Sequence, residues 1–264
     1  MMPKRIKRYL TVWWMMSKNS FLAVFYVKIA LSIFLTGKLL RFGFFLVFMF
    51  FLLKGSGGLA GYTLNQSIFF FLTFNLVDVA SQFLFREVYR FRPHLVSGDF
   101  DLTLVKPLSP LFRSLLGGAD VIDLITIPPL VLAVIYVGGL LGPSVLNAVY
   151  YLLLLVNGLA LAAAFHIFVL GFGVITLEVD HLVFIYRDLV NLGKLPVDIY
   201  REPIKSVITY LIPVGLMVTL PAKALMGLVS PVGIITTLGI SVLALFAANR
   251  FWQFALTKYT SASS

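Results

Sequence analysis

Long apolar runs separated by short polar segments dominate this chain. A helix that crosses about 30 Å of hydrocarbon needs about 20 mainly apolar residues. The segments that meet this requirement are 34–54, 67–85, 120–141, 145–176 and 232–254. Pro128 and Pro129 lie near the middle of the third segment and predict a kink there, which neighbouring helices would have to stabilise.

The stretch before the last span leaves two arrangements open. In the first, 180–198 is a fifth span and 199–229 forms a re-entrant hairpin on the outer side. In the second, 178–205 is cytoplasmic and 206–228 is the fifth span. Both arrangements give six spans with both termini inside. The sequence therefore predicts an all-α integral membrane protein.

Residues 1–30 have the pattern of a helix lying in the headgroup plane. A cleavable signal peptide is disfavoured because Lys18 and Lys28 interrupt the apolar part and no small-x-small site follows. At helical spacing, residues 4–27 form a basic, polar face and an aromatic, apolar face. The polar face carries Lys4, Arg8, Thr11 and Lys18, and the apolar face carries Ile6, Tyr9, Trp13 and Met16.

Two basic residues interrupt the first span. Its uncharged part, 42–53, is too short to cross a bilayer alone. We therefore expect Lys38 and Arg41 to lie in the inner leaflet and to extend towards the headgroups.

Composition supports a membrane class. Of 264 residues, 60% are hydrophobic and 12% are charged, whereas about a quarter are charged in soluble domains. A soluble fold of this length has too much surface to hide so much apolar area. The chain has no cysteine, which excludes disulfides and thiolate chemistry. The net charge of +10 indicates anionic headgroups rather than nucleic acid as the partner.

The distribution of basic residues indicates an inside N-terminus, because cytoplasmic loops retain Lys and Arg. The second arrangement leaves only Lys54 and Lys223 outside, so this rule alone favours it. The first arrangement places five basic residues outside: Lys54, Lys194, Arg201, Lys205 and Lys223.

Catalytic and metal-binding patterns are absent from the sequence. No G-x-x-x-x-G-K-[ST] loop occurs, so this chain is not expected to hydrolyse ATP, and we expect no cofactor and no catalytic residue in it. The histidines lack zinc spacing, and we expect His166 to bond to a neighbouring helix. Asp120 and Asp123 are interpreted as carboxylates at the membrane boundary rather than as a hydrolytic pair.

A polar stripe runs along the second span. Asn75, Asp78, Gln82 and Arg86 recur at intervals that place them on one side of a helix. A carboxylate inside a span costs about 2.5–3.5 kcal/mol and needs a partner or a water-filled cavity. For Asn75, Asp78 and Gln82, a translocation pathway or dimer seam and a structural hydrogen-bond network both remain open.

The polar segment 86–119 between the second and third spans predicts a stiff cytoplasmic elbow. Gly98 is suited to end one short helix in the left-handed conformation. Asp99 or Asp101 is then expected to cap a second short helix. Pro107 and Pro110 delay entry into the next span. Such an elbow suits the transfer of force from a soluble partner, although an ordinary ordered loop fits as well.

The elbow also carries a resemblance. Gly98 to Leu111 reads Gly-Asp-x-Asp-x-x-Leu-x-Lys-Pro-Leu-x-Pro-Leu, preceded by FREVYRFR. With PVDIY at 196–200 and IPVGLMVTLPAKALMG at 212–227, it resembles the ATP-binding-cassette type-2 permeases, within them the six-span bacterial viologen- or drug-export permeases. The likeness covers most of the chain, taken as one permease domain, 1–264.

The resemblance implies a half-transporter of the bacterial plasma membrane. Two permease chains, identical or related, would form the channel, and two cytoplasmic ATPase subunits would bind ATP and Mg. It makes 199–229 an outer gate, which favours the first arrangement. Arg187 and Asp188 would then need partners within the bundle. The implied ATPase-coupling residues lie in the elbow: Arg86, Arg90, Arg92, His94, Gly98, Asp99, Asp101, Lys106 and Pro107.

Other functions remain as alternatives. An ion-coupled secondary transporter would use Asp78 as a proton or cation site and would work without an ATPase. A membrane anchor for a cytoplasmic complex would keep the elbow but would not need the polar stripe. A membrane-embedded enzyme would need a convergent set of His, Asp or Ser at one membrane face, and the sequence suggests none.

Overall fold

The computed structural model describes residues 4–56 and 59–260, and over that part the chain is almost entirely helical. The ends of the predicted segments 1–30 and 1–264, at 1–3 and 261–264, lie outside the described residues. The helices are α1 Lys4–Phe25, α2 Lys28–Ser56, α3 Leu64–Phe85, α4 Phe91–Val96, α5 Asp99–Leu104, α6 Pro110–Leu115, α7 Val121–Leu140, α8 Val145–Thr176, α9 Asp180–Asn191, α10 Ile204–Leu211, α11 Gly215–Leu225 and α12 Pro231–Lys258.

Within the described residues, 5 helices are long and apolar enough to cross a membrane, or 6 if the bent pair α10–α11 counts as one span. The span-length segments are Lys28–Leu52, Leu64–Val96, Val121–Leu140, Val145–Thr176 and Pro231–Lys258. They match the spans predicted from the hydrophobic pattern. The chain is therefore a multi-pass membrane protein.

Local chemistry explains where several helices begin. Thr63 and Gln66 form a capping box at the start of α3. The Asp120 carboxylate accepts the Ile122 N–H at 2.8 Å and so caps α7. Pro128 and Pro129 lie inside α7 without ending it.

The core is built from α3, α7, α8 and α12, with α2 at the periphery. α3 is mostly buried, whereas α2 is almost entirely exposed. Phe45 of α2 stacks on Phe71 of α3, with ring centroids 4.0 Å apart. Helix α1 packs along the elbow: Tyr9 meets Phe112 edge-on at 4.7 Å, and Ser17 accepts the Ala119 N–H at 3.2 Å.

Contacts before and after α9 lie at the two ends of the bundle. At the end that carries the elbow, Arg92 pairs with Glu178 at 3.4 Å and with Asp180, the first residue of α9, at 3.8 Å. At the opposite end, the Tyr62 hydroxyl in the α2–α3 connection donates to Asp198 at 2.9 Å. The segment from Asp180 to Asp198 therefore runs from one end of the bundle to the other.

Neither predicted fifth span, 180–198 or 206–228, is a single straight helix. α9 has only 12 residues and gives way to 3₁₀ turns, with Pro196 between them. Helices α10 and α11 are bent by 74° at the break that contains Pro213, which cannot donate a backbone hydrogen bond.

The bent pair begins and ends at the end opposite the elbow. Leu211 and Pro213, at its turn, line a pocket with Leu161 and Phe168 from the middle of α8. At the other limit, Gly227 lies against Asn147 near the start of α8. The turn between α10 and α11 therefore lies beside the middle of α8.

Candidate functional site

A cavity of about 370 Å³ lies between α2, α3 and α9, inside the span-length part of the protein. It contains the centre of the polar stripe and a wall of aromatic rings. Its lining residues are Arg41, Phe42, Phe44, Phe45, Phe71, Phe74, Asn75, Asp78, Arg187, Asn191 and Lys194.

The structure divides the polar stripe between two cavities. Asn75 and Asp78 line the first, where the buried Asn75 amide donates to the Phe71 carbonyl at 2.7 Å. Gln82 joins the halves, because its amide donates to Asp78 Oδ2 at 2.8 Å. With Arg86, Gln82 lines a second cavity of about 410 Å³ nearer the elbow. The stripe is therefore partly a hydrogen-bond network and partly a cavity lining.

Arg86 belongs to the boundary between span and elbow. Its Nε lies 3.1 Å from Asp120 Oδ2, so it ties the end of α3 to the cap of α7. This contact joins the second and third spans on the elbow side.

The prediction that Lys38 extends to the headgroups is wrong. The Lys38 amine pairs with Asp123 of α7 and donates to the Thr126 hydroxyl at 3.1 Å. Arg41 lines the first cavity near the midpoint of its span. The physical reason is that a carboxylate buried at a helix start needs an opposite charge, and Lys38 supplies it.

Sequence reasoning missed the basic character of the cavity. Arg41, Arg187 and Lys194 come from distant parts of the chain and converge there. Hydropathy assigns each of these three residues separately to a span boundary or a loop. No pattern in the sequence indicates that they lie close together in the fold. The resemblance led us to expect partners in the bundle for Arg187, but Arg187 lines this cavity and forms no ion pair with another described residue.

The elbow turns at Gly98, as predicted. Gly98 follows Ser97, the C-cap residue of α4, and has φ +78°, the left-handed conformation that glycine adopts at low cost. The predicted cap by Asp99 or Asp101 is wrong, because Gly98 itself occupies the N-cap position and both aspartates lie in the first turn of α5. The Ser97 hydroxyl instead donates to Asp99 Oδ2 at 2.8 Å.

The elbow is fixed to the bundle through aromatic contacts. Phe100 of α5 is buried and packs against Phe91 and against Trp252 of α12. Tyr259, beyond the end of α12, meets Phe100 edge-on at 5.1 Å. Burial raises the pKa of Tyr259 to about 12, and the charge of nearby Asp101 adds to this effect.

Several predicted coupling residues have partners within the chain. Arg90 donates to the Ser20 hydroxyl of α1 at 3.3 Å, and Arg92 holds the start of α9. Glu87, buried, pairs with Arg113 at 2.6 Å and lies 3.8 Å from His94. These side chains brace the elbow.

The outer side of α5 and the residues after it are exposed, unlike the elbow side chains that pair within the chain. Leu102 and Val105 are 59% and 81% exposed, and Lys106 and Pro107 beside them are exposed too. This surface, Leu102 to Pro107, is apolar, rigidly mounted and outside the span-length cores. Of the elbow, it is the part suited to meet another protein.

At the end opposite the elbow, Asp198 is the centre of an ion cluster. Its carboxylate meets Lys205 at 2.9 Å and Lys223 at 2.6 Å as well as the Tyr62 hydroxyl. Burial raises the pKa of Asp198, but Lys223 and Lys205 outweigh it and bring the pKa to about 2. The cluster therefore stays ionised at physiological pH and connects both arms of the bent pair to the α2–α3 connection.

His166 does not bond to a neighbouring helix, contrary to expectation. Its Nδ1 donates to the Ala162 carbonyl of its own helix at 2.8 Å, and its ring packs against Tyr186 at 4.5 Å. Over residues 4–56 and 59–260 the structure contains no group of three or more His, Asp or Glu side chains that could hold a metal ion.

Comparison with known proteins gives one family. A family model described as "ABC-2 family transporter protein" matches residues 39–263. No curated protein and no solved structure matches the chain significantly. The match covers most of the sequence and includes both the cavity and the elbow, so the chain belongs to the ABC-2 transporter family.

Proposed function

We propose that this chain is the permease subunit of an ABC exporter. Two permease chains, identical or related, form the translocation pathway, and separate cytoplasmic ATPase subunits bind ATP and Mg and drive it. The observation that carries the proposal is the exposed apolar surface Leu102 to Pro107 on an otherwise braced elbow. An exposed apolar patch of this kind marks a protein interface.

The elbow's attachments give the proposed coupling a physical route. Phe100 transmits a push on α5 to Trp252 of α12. The Arg86–Asp120 contact joins α3 to α7 on the same side. Motion of an ATPase docked on α5 would therefore move the second, third and last spans together.

The membrane arrangement follows from the same proposal. The elbow and both termini are cytoplasmic in the bacterial plasma membrane, and α1 lies in the headgroup plane. α9 and the turn after it make the fifth crossing, and α10–α11 is a re-entrant gate on the outer side. The contacts of Arg92 and Tyr62 at opposite ends of the Asp180–Asp198 segment support this order.

Native mass spectrometry of the tagged chain, extracted gently from its own membranes, tests the assembly. We expect two permease chains with two nucleotide-binding subunits. The masses would also distinguish a homodimeric from a heteromeric permease pair. A lone chain or a bare dimer under several mild detergents would contradict the proposal and favour an ion-coupled transporter that uses Asp78.

A charge on the docking surface tests the interface itself. We expect Val105→Asp to reduce the amount of co-purified ATPase at least about tenfold, because a carboxylate in an apolar interface loses its solvation. Val145→Asp is the matched control, since Val145 is equally exposed, at 84%, but lies at the start of α8 at the opposite end.

Both variants should reach the membrane in normal amounts. Gly98→Pro and Asp101→Arg should likewise uncouple transport while leaving membrane insertion unchanged. Undiminished ATPase recovery with Val105→Asp would place the docking surface elsewhere.

A further inference from the structure

The cavity between α2, α3 and α9 contains more positive than negative charge. Arg41, Arg187 and Lys194 line it together with a single carboxylate, Asp78. Among the described residues, none of the three basic side chains forms an ion pair, whereas nearby Lys38 is paired with Asp123. The cavity therefore differs from the other charged sites of the spans.

Arg41 lies near the midpoint of the span Lys28–Leu52, and an unpaired cation at that position of a span is costly. An arginine or lysine near the middle of a span costs about 2.5–3.5 kcal/mol on insertion scales, and such residues normally mark a partner, a pathway or a ligand. Asp78 offers only one negative charge and already accepts a hydrogen bond from Gln82 at 2.8 Å. At least part of the basic charge is thus left for something that this chain does not contain.

The rest of the lining indicates the shape of that partner. Five phenylalanine side chains form an apolar wall beside the cations, on α2 and α3. A volume of about 370 Å³ falls within the range of small-molecule sites. Guanidinium groups bind sulfonate, phosphate and carboxylate through paired N–H donors, while the rings accept an apolar body.

We propose that this cavity binds an amphiphilic organic anion, with its acidic group between Arg41, Arg187 and Lys194 and its apolar body against the phenylalanines. The inference rests on the proposed permease function, of which it names the substrate class. Cationic compounds are disfavoured, because they would meet three like charges for one opposite charge.

Two fluorescent probes that differ by one negative charge measure how much that charge contributes to binding. Anilinonaphthalene sulfonate and N-phenylnaphthylamine share an aromatic body and differ by one sulfonate group, and ethidium supplies an aromatic cation. Each is titrated into the purified complex in phosphatidylcholine nanodiscs, with empty nanodiscs subtracted. We expect the sulfonate to bind at least about tenfold more tightly than the neutral probe, because a hydrogen bond to a charged group contributes about that much affinity. We expect ethidium not to compete with the sulfonate for binding.

Variants assign that preference to the cavity. Arg41→Gln and Arg187→Gln should each weaken sulfonate binding about tenfold, and Arg41→Lys should preserve most of it. Arg250→Gln is the control, because Arg250 lies on α12 outside the cavity. Elution as an intact complex in size-exclusion chromatography shows that a variant is folded.

The outcomes separate the two proposals. Equal binding of the sulfonate and neutral probes, competition by ethidium, or unchanged binding in the glutamine variants would overturn the anionic substrate class. If the glutamine variants instead dissociate the permease pair and the sulfonate shows no preference, the cations pair with the second copy and the inference is wrong. Absence of co-purified, ATP-hydrolysing subunits would count against the permease function itself, whatever the probes show.

Discussion

At the scale of single residues, several charges in the spans form ion pairs and several others line a cavity. Lys38 pairs with Asp123 and Arg86 with Asp120, both near the elbow side of the bundle. Arg41 and Asp78 line the first cavity instead. Since an isolated charge is costly at membrane depth, the paired residues stabilise the fold and the cavity residues are available for function.

The Lys38–Asp123 pair gives the clearest stability prediction. Its side chains are 12% and 5% exposed, so Lys38→Met leaves a buried carboxylate without its cation. Breaking a buried pair in this way costs about 3–5 kcal/mol. We expect a lower thermal transition of the detergent-solubilised protein, followed by fluorescence-detected size exclusion.

The double variant Lys38→Met/Asp123→Leu is the control for that prediction. It removes both charges and should recover most of the loss, because no unpaired ion remains. A single variant as stable as the wild-type protein would show that Asp123 is solvated in the membrane-embedded state.

At the scale of elements, the bent pair α10–α11 depends on close packing against α8. A Cβ atom placed on Gly158 of α8 would lie 2.4 Å from the Met217 carbonyl oxygen. Only glycine allows this approach of helix to backbone. The position of the bent pair in the bundle therefore depends on the absence of a side chain at Gly158 as well as on the Asp198 ion cluster.

Gly158→Ala should displace the bent pair. The added methyl group must push backbone atoms apart, which costs about 1–3 kcal/mol. We expect a lower melting temperature together with faster hydrogen exchange in 204–225, measured by mass spectrometry.

Gly139→Ala on α7 is the matched control, because a Cβ there has no neighbour within 4 Å. It should be neutral or stabilising, by up to about 1 kcal/mol, since alanine favours a helix over glycine. Equal effects of the two substitutions would argue against a close contact at Gly158.

At the scale of the whole molecule, the two ends of the bundle are distinct. One carries α1, the elbow and the start of α9. The other carries the α2–α3 connection, Asp198 and the limits of the bent pair. Proposed coupling and proposed gating thus lie at opposite ends, with the basic cavity between them.

Single cysteines test this polarity directly, because the natural chain contains none. Arg201→Cys and Lys106→Cys place a thiol at exposed positions near the two ends. We expect a membrane-impermeant maleimide to label Arg201→Cys in intact cells and Lys106→Cys only after permeabilisation. Labelling of Arg201→Cys only after permeabilisation would show that this residue is cytoplasmic. It would favour the arrangement in which 178–205 is cytoplasmic and would contradict a fifth crossing by α9.

Much of this protein is determined by its sequence. The span-length helices follow from hydropathy, because a chain in hydrocarbon must satisfy its backbone hydrogen bonds locally. The left-handed turn occurs at Gly98 because glycine, which lacks a Cβ atom, adopts a positive φ at low conformational cost. The elbow motif also led to the family that the comparison confirmed. Each of these features depends on neighbours in the chain.

Only the tertiary structure decided the path of the segment after α8 and the composition of the cavity. α9 is too short and too charged for hydropathy to place. The direction of the segment from Asp180 to Asp198 follows from its contact with Arg92 at one end and with Tyr62 at the other. Arg41 and Arg187 are far apart in the sequence and meet only because α2 and α9 pack beside α3. Such long-range pairings depend on how helices are arranged, and local pattern contains no information about that arrangement.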